Sequence, residues 1–248
     1  LHVMRIRNIA SVAVNTFIDY VRDKSLYKSV FFTIGLAFFS IFLGEWSVFD
    51  RAHVIKSTTL SIMSLSGLLI SVFVGISLVQ KEIQRKTVLT LLSKPISRGT
   101  FILGKYLGLM GVVAVHLSIL SAVYYSILFL THSSPTLSLL QAIYLVFWEL
   151  AIVVAIALLF SSFSTPVLSA LFTLGVYFAG HLSGQLLEQV RFVQRMGEIT
   201  GGMSTLLEKA AVVIHAVFPG LYRYNISAYV IHGVALPENY LLWSSLYV

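Results

Sequence analysis

Long apolar runs separated by short polar segments dominate the chain. Five of them are long enough for a helix that crosses the hydrocarbon core, which needs about 20 apolar residues at ~1.5 Å of rise each. We place these spans at about 26–44, 57–79, 106–130, 137–160 and 166–187. Strands of a membrane barrel would instead alternate apolar and polar positions over about ten residues. The pattern therefore predicts an all-α integral membrane protein, folded as a polytopic bundle.

Two further elements flank the five spans. A sixth apolar run begins at Tyr240 and reaches residue 248, so we expect six transmembrane helices, of which the sixth is truncated in this sequence. Residues 1–24 place apolar side chains on one helical face and polar ones on the other. Such a segment favours an N-terminal amphipathic helix that lies in the membrane interface. A cytosolic helix that packs on a partner is the alternative.

The composition indicates that lipid surrounds most of the molecule. Hydrophobic residues make up 57% of the chain and charged residues 11%, whereas a typical soluble domain has roughly 45–50% and about 25%. The 248 residues include no cysteine. This absence excludes a thiolate metal site, a redox dithiol and a cysteine nucleophile.

The distribution of charge predicts the orientation. With the N-terminus inside, the cytoplasmic segments carry eleven basic residues against three acidic ones, and the outer segments carry six of each. Basic residues accumulate on the cytoplasmic side of membrane proteins. We therefore predict a multi-pass protein of the cell inner (plasma) membrane with a cytoplasmic N-terminus. The net charge of +7 follows from this topology, and we expect no nucleic-acid partner.

Two connecting segments are long enough to carry function. Residues 80–105, on the cytosolic side, contain six basic residues and one acidic residue, and Ile83, Val88, Leu91 and Leu92 give the segment an apolar side. Pro95 should end one helix there, and Ser97 or Thr100 should cap the next. Such a segment suits binding to a protein partner, and a solvated loop is the alternative. In the outer segment 188–239, we expect a short re-entrant or interfacial helix.

Three polar residues inside the spans are candidates for a substrate path. Glu149 is the only acidic residue within a span, and His116 and His181 lie in the third and fifth spans. Ionisable groups at membrane depth are costly and are commonly functional. The alternative is that these side chains form hydrogen bonds between helices.

One apparent nucleotide motif is not functional. The run from Gly99 to Lys105 has the spacing of a phosphate-binding loop, but Tyr106 stands where Ser or Thr would contact the metal. No buried strand precedes the run, and such a loop requires one. Gly104 and Gly108 instead predict a place where helices approach closely, as small residues do in membranes.

An intramembrane enzyme is the alternative class of function, together with a non-transporting membrane anchor. A zinc protease needs two histidines and a glutamate on one helix, and the chain has no such run. Ser183 lies close to His181 in sequence, which suggests a serine protease. Residues two apart on a helix do not face each other, so this pairing is disfavoured. Gly180 and Gly184 predict a second place of close approach.

The segment 80–105 resembles the signature region of type-2 ABC transporter permeases. The resemblance is carried by the runs KEIQRKT (81–87), LLSKPISR (91–98) and FILGK (101–105). It is closest to the subgroup that includes the permease of copper-enzyme maturation systems. The N-terminal helix, the six-span layout and the long outer segment fit the same family.

The resemblance implies a permease subunit of an ATP-binding-cassette exporter, which moves an unidentified substrate by alternating access and is not itself an enzyme. Its implied partners are a cytosolic ABC ATPase and a second permease copy, as a homodimer or a heterodimer. ATP and Mg would bind to the ATPase, and this chain would bind no cofactor or metal. In the family, the helix after the second span is the coupling helix. That role carries over to Glu82, Arg85, Lys86, Thr87 and Leu91.

Overall fold

Every regular element that the structure describes is a helix. The computed structural model describes residues 2–22, 24–46, 51–84, 97–131, 137–195, 209, 211–213, 216, 218–226 and 240–246. Its α-helices are α1 His2–Val21, α2 Lys24–Glu45, α3 Arg51–Gln84, α4 Arg98–Leu130, α5 Leu137–Ser161, α6 Pro166–Arg195 and α7 Tyr240–Leu246. A 3₁₀ turn, Leu221–Tyr224, lies between α6 and α7. The predicted all-α class is confirmed for these residues.

Within the described part of the chain, four helices are long and apolar enough to cross a membrane. They are His53–Ser77 in α3, Gly99–Leu130 in α4, Ser138–Ser161 in α5 and Pro166–Leu186 in α6. Helix α2, Lys24–Glu45, covers the first predicted span at 26–44, and within its described residues the stretch Val30–Glu45 forms a shorter apolar helix of about 24 Å. The predicted sixth span is represented by α7. The structure therefore supports a membrane bundle with four long helices and one shorter one.

Helices α3 and α4 run in opposite directions along the centre of the bundle. The hydroxyl of Tyr124 donates a hydrogen bond to the carbonyl oxygen of Lys56 at 3.0 Å. Farther along α3, the hydroxyl of Ser66 lies 3.3 Å from Nε2 of His116. Residues later in α3 therefore contact residues earlier in α4, so the two helices are antiparallel. This is the arrangement expected for successive passes through a membrane.

Helix α5 runs in the same direction as α3 and packs closely against it through glycines. A side-chain carbon at Gly67 would overlap Leu150, and one at Gly75 would lie 3.2 Å from Cβ of Ala157. Because lipid competes poorly with such tight contacts, small residues let two backbones approach in a bilayer. These contacts hold α5 at the position from which Glu149 faces α3 and α6.

The close approach predicted at Gly104 and Gly108 is confirmed, and α1 is the helix that approaches. A Cβ atom at Gly104 would lie 2.6 Å from Cβ of Val12, and one at Gly108 would lie 2.6 Å from the carbonyl oxygen of Ala13. The later residue of α4 contacts the later residue of α1, so the two helices run in the same direction. Phe17 continues the contact one turn farther along α1, at Gly111.

The apolar face of α1 thus has a protein partner within the same chain. Thr16 and Tyr20 are buried, whereas Val14 and Ile18 on a neighbouring side are exposed. The amphipathic pattern correctly predicted the helix, but much of its apolar side covers α4 instead of being left to the membrane alone. The location of α1 in the membrane interface remains a prediction.

Three helices extend beyond the predicted spans. Helix α3 continues through Glu82, which therefore lies on a spanning helix instead of a separate one. Helix α4 begins at Arg98, and the hydroxyl of Ser97 accepts a hydrogen bond from the backbone N–H of Thr100 at 3.3 Å, which confirms the expected cap. Helix α6 continues to Arg195, into the segment assigned outside the bundle. Residues 85–96, with the predicted stop at Pro95, lie outside the described part.

Candidate functional site

Glu149 is buried at the midpoint of α5. Its side chain is 2% exposed, and its Oε1 lies 3.4 Å from Nε2 of His181 on α6. Oε1 accepts no hydrogen bond of good geometry from the described residues. Two of the three predicted site residues therefore meet across a helix interface, in a contact whose geometry leaves one carboxyl oxygen unsatisfied.

Tyr177 completes this polar cluster. It precedes His181 by one helical turn on α6, and the ring centroids of the two side chains are 4.6 Å apart. The Tyr177 hydroxyl lies within hydrogen-bonding reach of both the carboxyl group of Glu149 and the hydroxyl of Ser64 on α3. Since a buried polar group without a partner is costly, this shared hydroxyl is what fixes α3, α5 and α6 around one point.

The cluster forms one wall of a cavity of about 240 Å³. Polar groups of Ser61, Ser64, Glu149, Tyr177 and His181 face it from one side. The remaining lining is mostly apolar or aromatic and consists of Leu60, Leu65, Ala142, Val146, Phe178, Tyr224, Asn225 and Ile226. A largely apolar cavity with a few convergent polar groups is typical of a small-molecule site.

Residues 219–226 return to the bundle, and the last three of them line part of the cavity. Gly180 and Gly184 on α6 form the seat of this segment: a Cβ atom at Gly180 would lie 2.6 Å from the carbonyl oxygen of Pro219, and one at Gly184 would lie 2.6 Å from the ring of Tyr222. A close approach at the second glycine pair is present, but the expected partner was another helix, and the observed partner is the segment with the 3₁₀ turn. Leu221 is fully buried there.

The same turn is tied to α7. The hydroxyl of Tyr224 donates to the carbonyl oxygen of Ser244 at 2.9 Å, and the hydroxyl of Tyr240 donates to the carbonyl oxygen of Arg223. The outer segment was expected to hold a re-entrant or interfacial helix at Leu206–Phe218. Of that stretch, the described positions 209, 211–213 and 216 are helical. The residues that contact α6 are Pro219, Leu221 and Tyr222, which come after it.

His116 lies apart from the cavity. It is 1% exposed, and its Nε2 faces the hydroxyl of Ser66 between α3 and α4. It does not line the cavity, so the structure brings together Glu149 and His181 without the third predicted residue. The contact with Ser66 fits the alternative interpretation, in which a buried polar side chain joins two helices.

The residues that suggested other chemistry have structural partners. The hydroxyl of Ser183 donates to the carbonyl oxygen of Gly180 at 2.9 Å, so its hydrogen bond is used within its own helix. Lys105 is buried with its Nζ 5.3 Å from the centre of the Phe101 ring, and Gly104 packs on α1. Among the described residues, no group of three His, Asp or Glu side chains could hold a metal ion.

The proposed coupling residues lie mostly outside the described part of the chain. Arg85, Lys86, Thr87 and Leu91 fall in the range 85–96, and for Glu82 only the helical backbone is described. Their role is therefore a prediction from sequence.

Sequence reasoning missed Tyr177, Ser64 and residues 224–226. The spacing of Tyr177 and His181, four apart on one predicted span, was a usable signal, because such residues share a helix face. Serines are common in apolar helices, and nothing in their spacing distinguishes Ser64 from Ser61 or Ser66. Only the packing of α3 against α6 selects it.

The fold and the site define a polytopic helical membrane protein with a partly polar, half-open cavity between its helices. A family model described as "ABC-2 family transporter protein" matches residues 4–191, which is most of the chain and includes all four long spans. The chain therefore belongs to the ABC-2 transporter family, as a membrane component. Permeases of this family lack a nucleotide-binding domain, and the ATPase is typically a partner. Comparison with curated proteins finds no match.

Proposed function

We propose that this chain is the permease subunit of an ATP-binding-cassette exporter of the inner membrane, paired with a second permease copy and driven by a separate cytosolic ATPase. The observation that carries the proposal is the family match over residues 4–191. The alternating directions of α3, α4 and α5 support a multi-pass permease. The motif between Glu82 and Lys105 resembles the copper-enzyme-maturation subgroup, and we propose a relationship to it on that motif.

Energy from the ATPase would enter through the segment after α3. Helix α3 runs unbroken through Glu82. A displacement of the coupling segment that follows it would therefore be transmitted along a rigid helix. That helix carries Ser64 of the cavity wall. ATP-driven movement at the cytosolic end is thereby linked to the polar cluster by a single element about 27 Å long between positions 82 and 64.

The cavity beside Glu149 and His181 would lie on the substrate path. It is lined by α3, α5 and α6 and by residues 224–226 of the returning segment. Alternating access requires one side of such a cavity to close while the other opens. The turn seated on Gly180 and Gly184 is held by contacts that differ from those between spanning helices, so it is suited to move separately from them.

The test of the proposal is binding of the ATPase through the coupling segment. We expect Glu82→Lys and Leu91→Ala to reduce retention of the candidate ATPase during purification and to lower its ATP turnover. Glu82 is the only acidic residue among six basic ones in the segment, and reversing its charge would place like charges together. Loss of a buried leucine contact of about 2 kcal/mol would weaken binding roughly 30-fold.

Matched controls separate coupling from general damage. Glu45→Lys makes the same charge reversal at the end of α2, and Leu130→Ala truncates an exposed leucine at the far end of α4. Both should retain the ATPase at the wild-type level. If Glu82→Lys and Leu91→Ala retain it as well and transport normally, the segment is a solvated loop and the coupling role is wrong.

A further inference from the structure

The described lining of the cavity includes one acidic residue, one histidine and no Lys or Arg. The acidic residue is Glu149, and the histidine is His181. The carboxyl group is almost completely buried, and its Oε1 has only the 3.4 Å contact with Nε2 of His181. An anion entering this cavity would meet the carboxyl group and find no fixed cation, so the lining disfavours anionic ligands.

The rest of the wall suits a cation with an apolar body. The rings of Tyr177 and the buried Tyr224 line the cavity, and aromatic faces attract ammonium groups. Leu60, Val146 and Ile226 supply apolar surface. A bare metal ion fits less well, because the cavity of about 240 Å³ has the volume of roughly eight waters at ~30 Å³ each.

We propose that this cavity binds an organic monocation, with its ammonium group on Oε1 of Glu149 and its apolar body against Tyr177 and Tyr224. This inference rests on the proposed permease function and names the substrate class of that permease. Oε1 is buried beside His181, so the His181 ring must move aside for the ammonium group to reach it. Because burial favours a neutral carboxyl group, binding of the cation releases to solvent any proton that the group carries. The hydroxyls of Ser64 and Tyr177 hold the other side of the polar cluster in position.

The experiment measures binding to the purified permease in lipid nanodiscs, without the ATPase, by isothermal titration calorimetry at pH 7. The probes are 2-phenylethylammonium and the uncharged 2-phenylethanol, which have similar shapes, and empty nanodiscs correct for partitioning into lipid. We expect the ammonium probe to bind roughly tenfold to a hundredfold more tightly than the alcohol, because a hydrogen bond to a charged group is the stronger one.

Substitution of the carboxyl group is the second measurement. Glu149→Gln should remove the preference for the ammonium probe, since an amide of similar shape carries no charge, while binding of the alcohol stays the same. Glu45→Gln, which removes an exposed carboxyl group from the end of α2, should leave both affinities unchanged. The comparison of the two probes on the wild-type protein needs no variant and stands even if Glu149→Gln fails to fold.

The outcomes separate this inference from the permease function. Equal binding of both probes to the wild-type protein, or a preference for the ammonium probe that survives Glu149→Gln, would overturn the cation site. Neither result bears on whether the chain retains an ATPase. Conversely, a permease that binds the cation but never retains an ATPase contradicts the proposed function and leaves the site in place.

Discussion

Gly180 is the point at which a single added carbon should loosen the closure of the cavity. In Gly180→Ala, the new Cβ atom would lie 2.6 Å from the carbonyl oxygen of Pro219 and 3.1 Å from Leu221. The first atom belongs to the backbone, and the second to a fully buried side chain. Neither can rotate away, so the turn must shift from its seat on α6.

The magnitude follows from the packing. Inserting a carbon into a well-packed contact costs about 1–3 kcal/mol. Helix α6 has the same conformation whether the turn contacts it or is displaced. The higher helix propensity of alanine therefore stabilises both states equally and does not change their ratio. The displaced population should then rise about 5- to 150-fold.

The assay uses the absence of native cysteine. A single cysteine at Ala142, which lines the cavity and is 1% exposed, reports access through the rate of its reaction with a small charged thiol reagent. When opening is fast relative to labelling, this rate follows the open population. We expect Gly180→Ala to raise it by the factor given above.

Gly175→Ala on the same helix is the matched control, because a Cβ atom at Gly175 meets nothing within 4 Å. It should leave the labelling rate of the cysteine at position 142 unchanged. If Gly180→Ala labels no faster than Gly175→Ala, the contact between α6 and Pro219 does not hold the turn, and the proposed closure of the cavity has to be abandoned.

Two further predictions concern the bundle and its orientation. Tyr124→Phe should lower the free energy of unfolding by about 0.5–1.5 kcal/mol, since it removes the hydrogen bond to the carbonyl oxygen of Lys56, which keeps its partner within helix α3; unfolding in mixed micelles that matches wild type would contradict this. Single cysteines placed outside should react with an impermeant thiol reagent on intact cells and those placed inside should not, and the reverse pattern would invert the topology. The outer positions are Asp50 and Glu198, and the inner positions are Lys86 and Arg98.

The sequence alone determined the class of the protein and much of its layout. The length of each apolar run sets whether a helix can cross the hydrocarbon core, and the four long spans were found this way. Glu149 stood out because an acidic residue within a span is rare and costly. The glycines at positions 104, 108, 180 and 184 were identified as contact points because a missing Cβ atom matters wherever two backbones meet.

Only the tertiary structure decided which surfaces meet. An apolar helix face is equally compatible with lipid and with another helix, because both are apolar, so the pattern in residues 1–24 could not reveal that α4 covers α1. For the same reason, His116 and His181 looked equivalent in sequence, yet one joins Ser66 and the other faces Glu149. The return of Pro219 and Leu221 to α6 depends on contacts about 40 residues apart in the chain, which no local pattern encodes.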